Sequence, residues 1–432
     1  MLVMIKFNPE SLRDDIVTIL KKFNFLEGEI EGVTFNEIMD KDCYEDYDVD
    51  ITEETKICLF IGADDSPYVS FEFLKNIFNK WENSKINEAQ SYAKNTNEIY
   101  FLLNTEDYDS FMFLETLKTS GNSVVKTTEP GVSIWEKQIN IDNKNYMVSL
   151  YNGICLYHLK VQESENYDKY LPAYSENDYF IRVLCDDILD MKVADSLASS
   201  FLFEMYSTHN LRLEFSNGRP DPEFFDYDEL DFSEKPLEIF PLIYGRGMKE
   251  IIEIYNKAKT TYDEDYKILS FTKVIEYIAP TVANEKLYEA VRLKLTSPDV
   301  FSPTSKFINE LGEIYKKYQN DICKDSELLK LAIFTVLYFD EIHSKFPVYL
   351  QRKNFSDIKN IDENTQQEYM EILAEAIYDT RNEIAHAKAN YKKKGKECPQ
   401  KQKNEFVEML DYIAVKCIRW FSMQPEEKRV IV

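Results

Sequence analysis

The chain has 432 residues, 44% of them hydrophobic and 30% charged, and its formal net charge is −26 at pH 7. This composition is typical of a folded globular protein and excludes a disordered one, and the length suits two or three domains. Glycine is scarce and no two of the seven cysteines are spaced as C-x-x-C, so phosphate-binding glycine loops, a disulfide framework and a structural zinc site are not expected.

The location predicted from these features is the cytoplasm. The odd number of cysteines suits reduced, mostly buried thiols. The N-terminal stretch MLVMIKFNPESLRDD lacks the apolar core of a signal peptide. The longest apolar run, LLKLAIFTVLYF at 328–339, is too short to cross a bilayer, so no membrane association is expected.

The negative charge is concentrated in the first part of the chain. Residues 1–240 carry 47 acidic and 21 basic side chains, whereas residues 241–432 carry 30 of each. An acidic surface repels nucleic acid and gains no affinity from counterion release. Any RNA must therefore be handled by the second part. The acidity of the first part suits a sensor, a partner platform or a restraint, and it equally suits simple solubility.

Residues 1–235 mix strand and helix patterns and predict an acidic, mixed α/β domain. Buried strands are expected at TKICLFIGA and EIYFLLN, each followed by an amphipathic stretch. The run KNYMVSLYNGICLYHLKV is predicted to be extended, with a hairpin turn at Asn152-Gly153. A strand at DYFIRVLC and a helix over LDMKVADSLASSFLFEMYS follow. The acidic, turn-rich stretch 216–236 is predicted to be a linker or a surface excursion.

From about residue 240 the hydrophobic period is helical, which predicts an all-α bundle of about seven helices over 240–432. With the first domain, this gives an α+β fold class. The helix DYKILSFTKVIEYIAP is expected to end at Pro280, and ELLKLAIFTVLYFDEIH is expected to form one helix. A long helix over 361–387 and a last helix over NEFVEMLDYIAVKCIRWFS complete the bundle.

The long helix ends in YDTRNEIAHAK, which contains Arg381, Asn382 and His386. The pattern R-N-x-x-x-H late in a helical bundle resembles the HEPN superfamily. The upstream helix with Glu276-Tyr277 resembles the early helix of ApeA-like HEPN proteins. The resemblance covers roughly residues 243–432. Position 388 is Lys, where one toxin branch of the superfamily has Tyr, so the chain departs from that branch.

The resemblance implies a metal-independent endoribonuclease without a cofactor. In that superfamily two copies of the motif meet at a dimer interface to form one site, and many members act in bacterial defence or as toxins. Carried over, Arg381 and His386 are the catalytic pair and Asn382 orients them. A homodimer or higher oligomer is therefore expected, with RNA as the substrate and a possible protein or small-molecule trigger at the first domain.

The residue types suit RNA cleavage on chemical grounds. Histidine titrates near neutral pH and can act as general base or acid, and arginine can stabilise charge on two phosphoryl oxygens. Positions five apart on a helix are about 140° apart, so Arg381 and His386 do not share a face, whereas Asn382 and His386 do. This favours a site assembled from two chains. The structural alternative is that Arg381 pairs with Asp379 or another carboxylate and His386 caps the helix.

Further residues are candidates for supporting roles. Glu276 is predicted either to contact Arg381 or His386 or to form an ordinary interhelical ion pair. No histidine pair has metal-ligand spacing, so no metal site is predicted. The lysine-rich stretch after the motif is predicted to bind the RNA backbone, or else to be a solvated loop. Its candidate RNA-binding residues are Lys388, Lys392, Lys393 and Lys394.

Three functions are compatible with the sequence. The leading hypothesis is a two-part bacterial effector in which the acidic domain senses or restrains and the HEPN-type domain cuts RNA. The second is a non-catalytic HEPN module for dimerisation or partner binding. The third is an acidic antagonist that mimics nucleic acid and occupies the basic groove of another protein.

Overall fold

The computed structural model describes residues 56–58, 68–70, 73, 76–77, 80, 84–87, 92–105, 107–119, 123–125, 131–164, 173–216, 238–318, 324–351, 361–386, 392 and 394–431. The chain divides into two compact units, residues 1–242 and 243–432. The fold class is α+β: the described strands lie in the first unit and pair only in antiparallel fashion, and helices occur in both units.

The first unit is built on a large antiparallel sheet. The strands β1 and β2 pair with each other, and the others form one sheet in the order β3-β4-β5-β9-β8-β7-β6, with β10 added to β5. The described strands are β1 (Lys56–Cys58), β2 (Tyr68–Ser70), β3 (Lys85–Asn87), β4 (Tyr92–Lys94), β5 (Glu98–Asn104), β6 (Ser123–Val125), β7 (Gly131–Ile141), β8 (Lys144–Gly153), β9 (Tyr179–Cys185) and β10 (Glu214–Phe215). Although strands and helices alternate along this part of the sequence, the described strands pair in antiparallel fashion and form no parallel sheet.

Three described helices accompany this sheet: α1 (Tyr108–Thr119), α2 (Leu156–Ser164) and α3 (Met191–His209). The side chain of Asp190 caps α3 by accepting a hydrogen bond from the backbone N–H of Lys192, and Asn210 ends the helix in the left-handed conformation. The centre of the sheet also buries charge: Arg182 on β9 donates to Glu98 on β5 at 3.2 Å, and both residues are almost fully buried.

The predicted hairpin turn at Asn152-Gly153 is wrong. The tight turn lies between β7 and β8 at Asp142-Asn143, where φ is 51° and 63°, values that short polar side chains tolerate. Asn152 instead lies at the end of β8, where its amide donates to the carbonyl of Glu176 at 2.6 Å. The residues after Gly153 were predicted to be extended, but Leu156–Ser164 forms α2.

The described part of the second unit is helical. Its helices are α4 (Met248–Thr260), α5 (Glu264–Leu295), α6 (Ser305–Lys317), α7 (Asp325–Val336), α8 (Phe339–Ile342), α9 (Glu363–Ala385) and α10 (Lys403–Ser422). The long helix α5 lies at the centre and packs against α4, α6, α7, α9 and α10. Ile268, Phe271, Ile275 and Ile278, on one face of α5, are buried.

Pro280 does not end its helix, contrary to prediction. The helix α5 continues for 32 residues through Pro280 to Leu295. A proline lacks an N–H group, so the carbonyl of Glu276 loses its donor four residues later. Val282 and Ala283, which follow the proline, are buried with no exposed surface, and we attribute the continuation of the helix to this packing.

The predicted helix over 327–343 is interrupted. Its first part ends at Val336, Leu337 is extended with φ −119° and ψ 141°, and Phe339 begins the short helix α8. Leu337, Phe339 and Ile342 are all buried, so the break turns consecutive apolar residues toward the core. A straight helix would spread the same residues around its circumference.

Candidate functional site

The R-N-x-x-x-H motif occupies the C-terminal end of α9. Asp362 begins the helix by accepting a hydrogen bond from the backbone N–H of Thr365. The helix ends at Ala385, and His386 occupies the C-cap position with φ −113° and ψ 16°. The backbone N–H of His386 donates to the carbonyl of Asn382 at 3.0 Å. The motif therefore spans the last turn of a helix whose preceding turns are packed in the core.

Arg381 is held at two of its three nitrogens. Its Nε lies 3.2 Å from Oε1 of Glu276 on α5, and its Nη1 donates to Oδ1 of Asn382 at 2.9 Å. The side chains of Arg381 and Glu276 are 30% and 33% exposed. No residue in the described part of the chain engages Nη2. The guanidinium is therefore oriented by two partners, and the N–H groups of Nη2 are available to an anion.

Burial raises the pKa of Glu276 above the usual range for a glutamate, and the nearby carboxylate of Asp325 contributes in the same direction. Arg381 lowers this pKa but does not fully offset the desolvation. The carboxyl group therefore lies in a partly dry environment beside a fixed positive charge. The sequence predicted either a contact with Arg381 or an interhelical ion pair for Glu276, and this geometry satisfies both descriptions.

His386 is exposed, and its imidazole makes no polar contact with any of the residues that the structure describes. The structure thus brings together Arg381, Asn382 and Glu276 but shows no contact between His386 and Arg381. An ion-paired arginine and a histidine at a helix C-cap are also what the structural alternative predicts. Within one chain, the histidine is positioned only by the last backbone hydrogen bond of α9.

The lysines after the motif are not equivalent. Lys394 Nζ lies 2.7 Å from Oδ1 of Asp379 and 5.6 Å from the centre of the Tyr378 ring. The hydrogen bond to Asp379 raises the pKa of Lys394 above its ordinary value. Lys392 is exposed. The predicted RNA-binding residues Lys388 and Lys393 lie outside the described residues.

The segment 394–398 is fastened to α9 just before Arg381. The carboxylate of Glu397 accepts hydrogen bonds from the backbone N–H groups of Lys394 at 2.6 Å and Gly395 at 2.8 Å. The backbone N–H of Cys398 donates to Oγ1 of the buried Thr380 at 2.9 Å. Sequence reasoning missed this anchor, although Asp379 and Thr380 are polar residues in a helix whose preceding apolar positions are buried, which is an available signal.

A second polar cluster lies in the first unit at the start of α2. His158 Nδ1 lies 3.6 Å from Cys155 Sγ, and its Nε2 lies 3.1 Å from Oδ2 of Asp178. All three residues are buried. The arrangement contains the residue types of a cysteine hydrolase, and its hydrogen bonds distinguish a catalytic role from a structural one.

Those hydrogen bonds show a helix cap. The backbone N–H of Cys155 donates to Nδ1 of His158 at 3.1 Å, and the carbonyl of Cys155 accepts from Leu159. Because that amide can only donate, Nδ1 accepts, and the ring proton on Nε2 is donated to Asp178. The contact from the Cys155 N–H to the His158 side chain is one half of a capping box. Burial raises the pKa of the Cys155 thiol, which makes it a poor nucleophile.

No group of three or more His, Cys, Asp or Glu side chains in the described ranges is arranged to hold a metal ion. Among those same residues, no helix is both long and apolar enough to cross a membrane. Comparisons of the chain with protein-family models, with curated proteins and with solved structures gave no match. The R-N-x-x-x-H motif and the contacts of its residues are therefore the features that bear on function.

Proposed function

We propose that the chain is a cytoplasmic, metal-independent endoribonuclease of a bacterial defence or toxin type. In this proposal residues 243–432 are a HEPN-type catalytic domain, and the acidic, mixed α/β first domain is a sensor or restraint. RNA is the substrate, and two chains contribute to one site. The support comes from the motif, from its placement at a helix end, and from the anchoring of Arg381.

The proposed reaction is an internal transesterification. The 2′-hydroxyl of a ribose attacks the adjacent phosphorus, the bond from phosphorus to the 5′-oxygen breaks, and the products carry a 2′,3′-cyclic phosphate and a 5′-hydroxyl. His386 takes the proton from the 2′-hydroxyl or gives one to the leaving 5′-oxygen. Arg381 stabilises the charge that grows on the non-bridging oxygens. Both roles are filled by side chains, so no cofactor enters the scheme.

Two chains are proposed because the helix separates the pair. Arg381 and His386 are about 140° apart around α9, and His386 projects from the helix end without a described polar partner. A second chain related by a two-fold axis would bring its own histidine toward this arginine. Glu276 and Asn382 position the guanidinium within each chain.

The single observation that carries the proposal is the fixed orientation of Arg381. Its Nε and Nη1 are held by Glu276 and Asn382, while Nη2 is not engaged by the described residues and the side chain is 30% exposed. An arginine needed only for an ion pair gains little from this second anchor. An arginine that must present Nη2 to a phosphate gains orientation before the substrate binds.

The test is cleavage of total RNA by the purified full chain in the presence of EDTA. The wild type is expected to cut RNA and to leave 2′,3′-cyclic phosphate ends. His386→Ala and Arg381→Ala are each expected to lose most of this activity while remaining folded. Matched controls in the same unit are His343→Ala, which lies outside the motif, and Arg246→Ala, an exposed arginine just before α4. Equal activity in all five proteins would refute the assignment.

The second candidate is a non-catalytic helical module for dimerisation or partner binding. The observation that favours it is the same ion pair, because Arg381 and Glu276 already satisfy each other across α5 and α9. Such a module predicts no cyclic phosphate product from the wild type. It also predicts that His386→Ala leaves partner binding unchanged.

Restraint by the first domain is a separate part of the proposal. All of the net charge of −26 belongs to residues 1–240. A strongly negative domain competes with RNA for basic side chains, and this competition weakens as salt increases. A chain that begins after residue 235, if circular dichroism shows it to be folded, is expected to cut RNA faster than the full chain. Unchanged cleavage and growth inhibition would rule out restraint.

A further inference from the structure

The second half of α5 and all of α6 form a helical arm, defined here as residues 284–318. At its base, the hydroxyl of Tyr318 donates to Oδ1 of Asn284 at 2.7 Å, and Lys294 forms an ion pair with Glu310 farther along. Phe307 is the only buried residue of α6, a helix whose residues are all described. The arm therefore leaves most of α6 in solvent.

Large apolar side chains are exposed along this arm. Assuming about 150–250 Å² for a fully exposed aromatic side chain, they leave roughly 600 Å² of apolar surface in water. The largest apolar patch of a typical monomer is about 300–600 Å², and a standard interface buries about 800 Å² on each partner. The arm thus has enough apolar area for the centre of a stable interface. The residues, exposed by 46% to 89%, are Tyr288, Leu293, Leu295, Phe301, Ile308 and Tyr315.

A glycine lies in the middle of the exposed face of α6. Gly312 follows Ile308 by four residues and precedes Tyr315 by three, so the three share one face. A Cβ atom added at Gly312 would meet nothing within 4 Å. Glycine within a helix costs about 0.5–1 kcal/mol relative to alanine. The packing of the chain itself does not require this glycine, but the close approach of another helix would.

The charge of the arm suits pairing with a second copy. The arm carries five acidic and six basic side chains, whereas residues 1–240 carry the whole net charge of −26. Two copies repel each other through their first domains. Arms that are nearly neutral, like residues 241–432 as a whole, can meet with little electrostatic cost.

The arm also begins beside the candidate site. Asn284, at its base, lies eight residues after Glu276 on the same helix, about 12 Å along the axis. The chain returns from Tyr318 to α7, whose first residue, Asp325, is close enough to Glu276 to raise the pKa of that carboxyl. The base of the arm is therefore close to the residue that contacts Arg381.

We propose that the arm is the self-association surface of this protein, with α6 of one chain crossing α6 of a second copy at Gly312. The interface is isologous, because Ile308 and Tyr315 of each chain flank the glycine of the other. The self-association itself does not depend on the proposed function. Only its consequence rests on that function, namely that one dimer contains two copies of the R-N-x-x-x-H motif.

The test is the mass of the full chain in solution, measured by sedimentation and by light scattering over a range of concentrations. The wild type is expected to dimerise at micromolar concentration. Ile308→Glu and Gly312→Leu are expected to weaken dimerisation on the order of tenfold or more. Leucine is a good helix former and position 312 is open, so Gly312→Leu should not disturb the monomer. Tyr262→Glu is the matched control, because Tyr262 is exposed and lies just before the start of α5, about 30 Å along the helix axis from Asn284.

A wild type that remains monomeric at all concentrations would overturn this inference, and so would arm variants that dimerise like the wild type. RNA cleavage measured in the same samples separates the two proposals. If the arm variants lose dimerisation but the wild type cuts no RNA, the proposed function fails and the arm inference stands. If cleavage depends on Arg381 and His386 while the arm variants still dimerise, the arm inference fails alone.

Discussion

Two lysines of the segment after the motif offer a controlled test of how burial sets the strength of an ion pair. Lys394 contacts Asp379, whose side chain is 7% exposed, and Lys396 contacts Glu375, whose side chain is 51% exposed. The lysines are two residues apart and both carboxylates belong to α9. The comparison therefore changes the burial of the carboxylate, while the substituted residue is a lysine of the same segment in both cases.

The expected magnitudes follow from this difference. Lys394→Ala leaves a buried carboxylate without its charge-assisted hydrogen bond, which costs about 1.5–3 kcal/mol. Lys396→Ala removes a surface ion pair, which costs about 0–1 kcal/mol. The hydrogen bond to Asp379 raises the pKa of Lys394, so its stabilisation is complete below the ordinary lysine pKa and is lost as the pH rises through the raised value.

Hydrogen exchange measured by mass spectrometry on the full chain is the suitable assay, because a protein with two units need not have a single unfolding free energy. The informative amides are those of Gly395 and Cys398, which donate to Glu397 and Thr380. Lys394→Ala is expected to lower their protection much more than Lys396→Ala. Equal loss in both variants would show that burial of Asp379 does not govern the anchor.

Three further predictions concern α5 and the lysine segment. Burial raises the pKa of Glu276, so its contribution to stability is present below the ordinary glutamate pKa and is lost as the pH rises through the raised value. Over that window Glu276→Gln should gain at most about 1 kcal/mol on the wild type, and parallel pH dependence of the hydrogen-exchange protection of α5 in both proteins would contradict this. Pro280→Ala supplies a donor for the Glu276 carbonyl and should raise helix protection by about 1–3 kcal/mol, whereas a loss of protection would mean that packing requires the proline. Lys392→Ala should reduce the salt dependence of single-stranded RNA binding by about 0.7 in the logarithmic slope, while Lys394→Ala should not, and equal slopes in binding titrations would show that Lys392 does not contact phosphate.

Elements with an uninterrupted pattern could be predicted from the sequence. The strand Glu98–Asn104 has the predicted bounds, and the helix α10 was predicted to within one residue at its start. In both, local propensity and burial favour the same structure. The helix α9 was predicted over 361–387 and extends over Glu363–Ala385, because an aspartate cap and the motif mark its ends.

Predictions failed where tertiary packing opposed a local signal. Pro280 is a strong helix terminator in isolation, but buried residues on both sides hold α5 together. The Asn152-Gly153 pair is a strong turn signal, but its asparagine is occupied by carbonyls of another segment. At the site, the contact between Glu276 and Arg381 was weighed in advance, whereas the Asp379–Lys394 pair was not, because a loop that returns to its own helix has no periodic signature.

The continuity of α5 through Pro280 has a mechanical consequence. Glu276 and Leu295 belong to one rod, about 28 Å apart along its axis, and a tilt of about 5° at one end moves the other by roughly 2.5 Å. The carboxylate that contacts Arg381 and the exposed arm thus belong to the same continuous helix. If a second copy binds the arm as proposed, its binding would act on the same helix that carries the partner of Arg381.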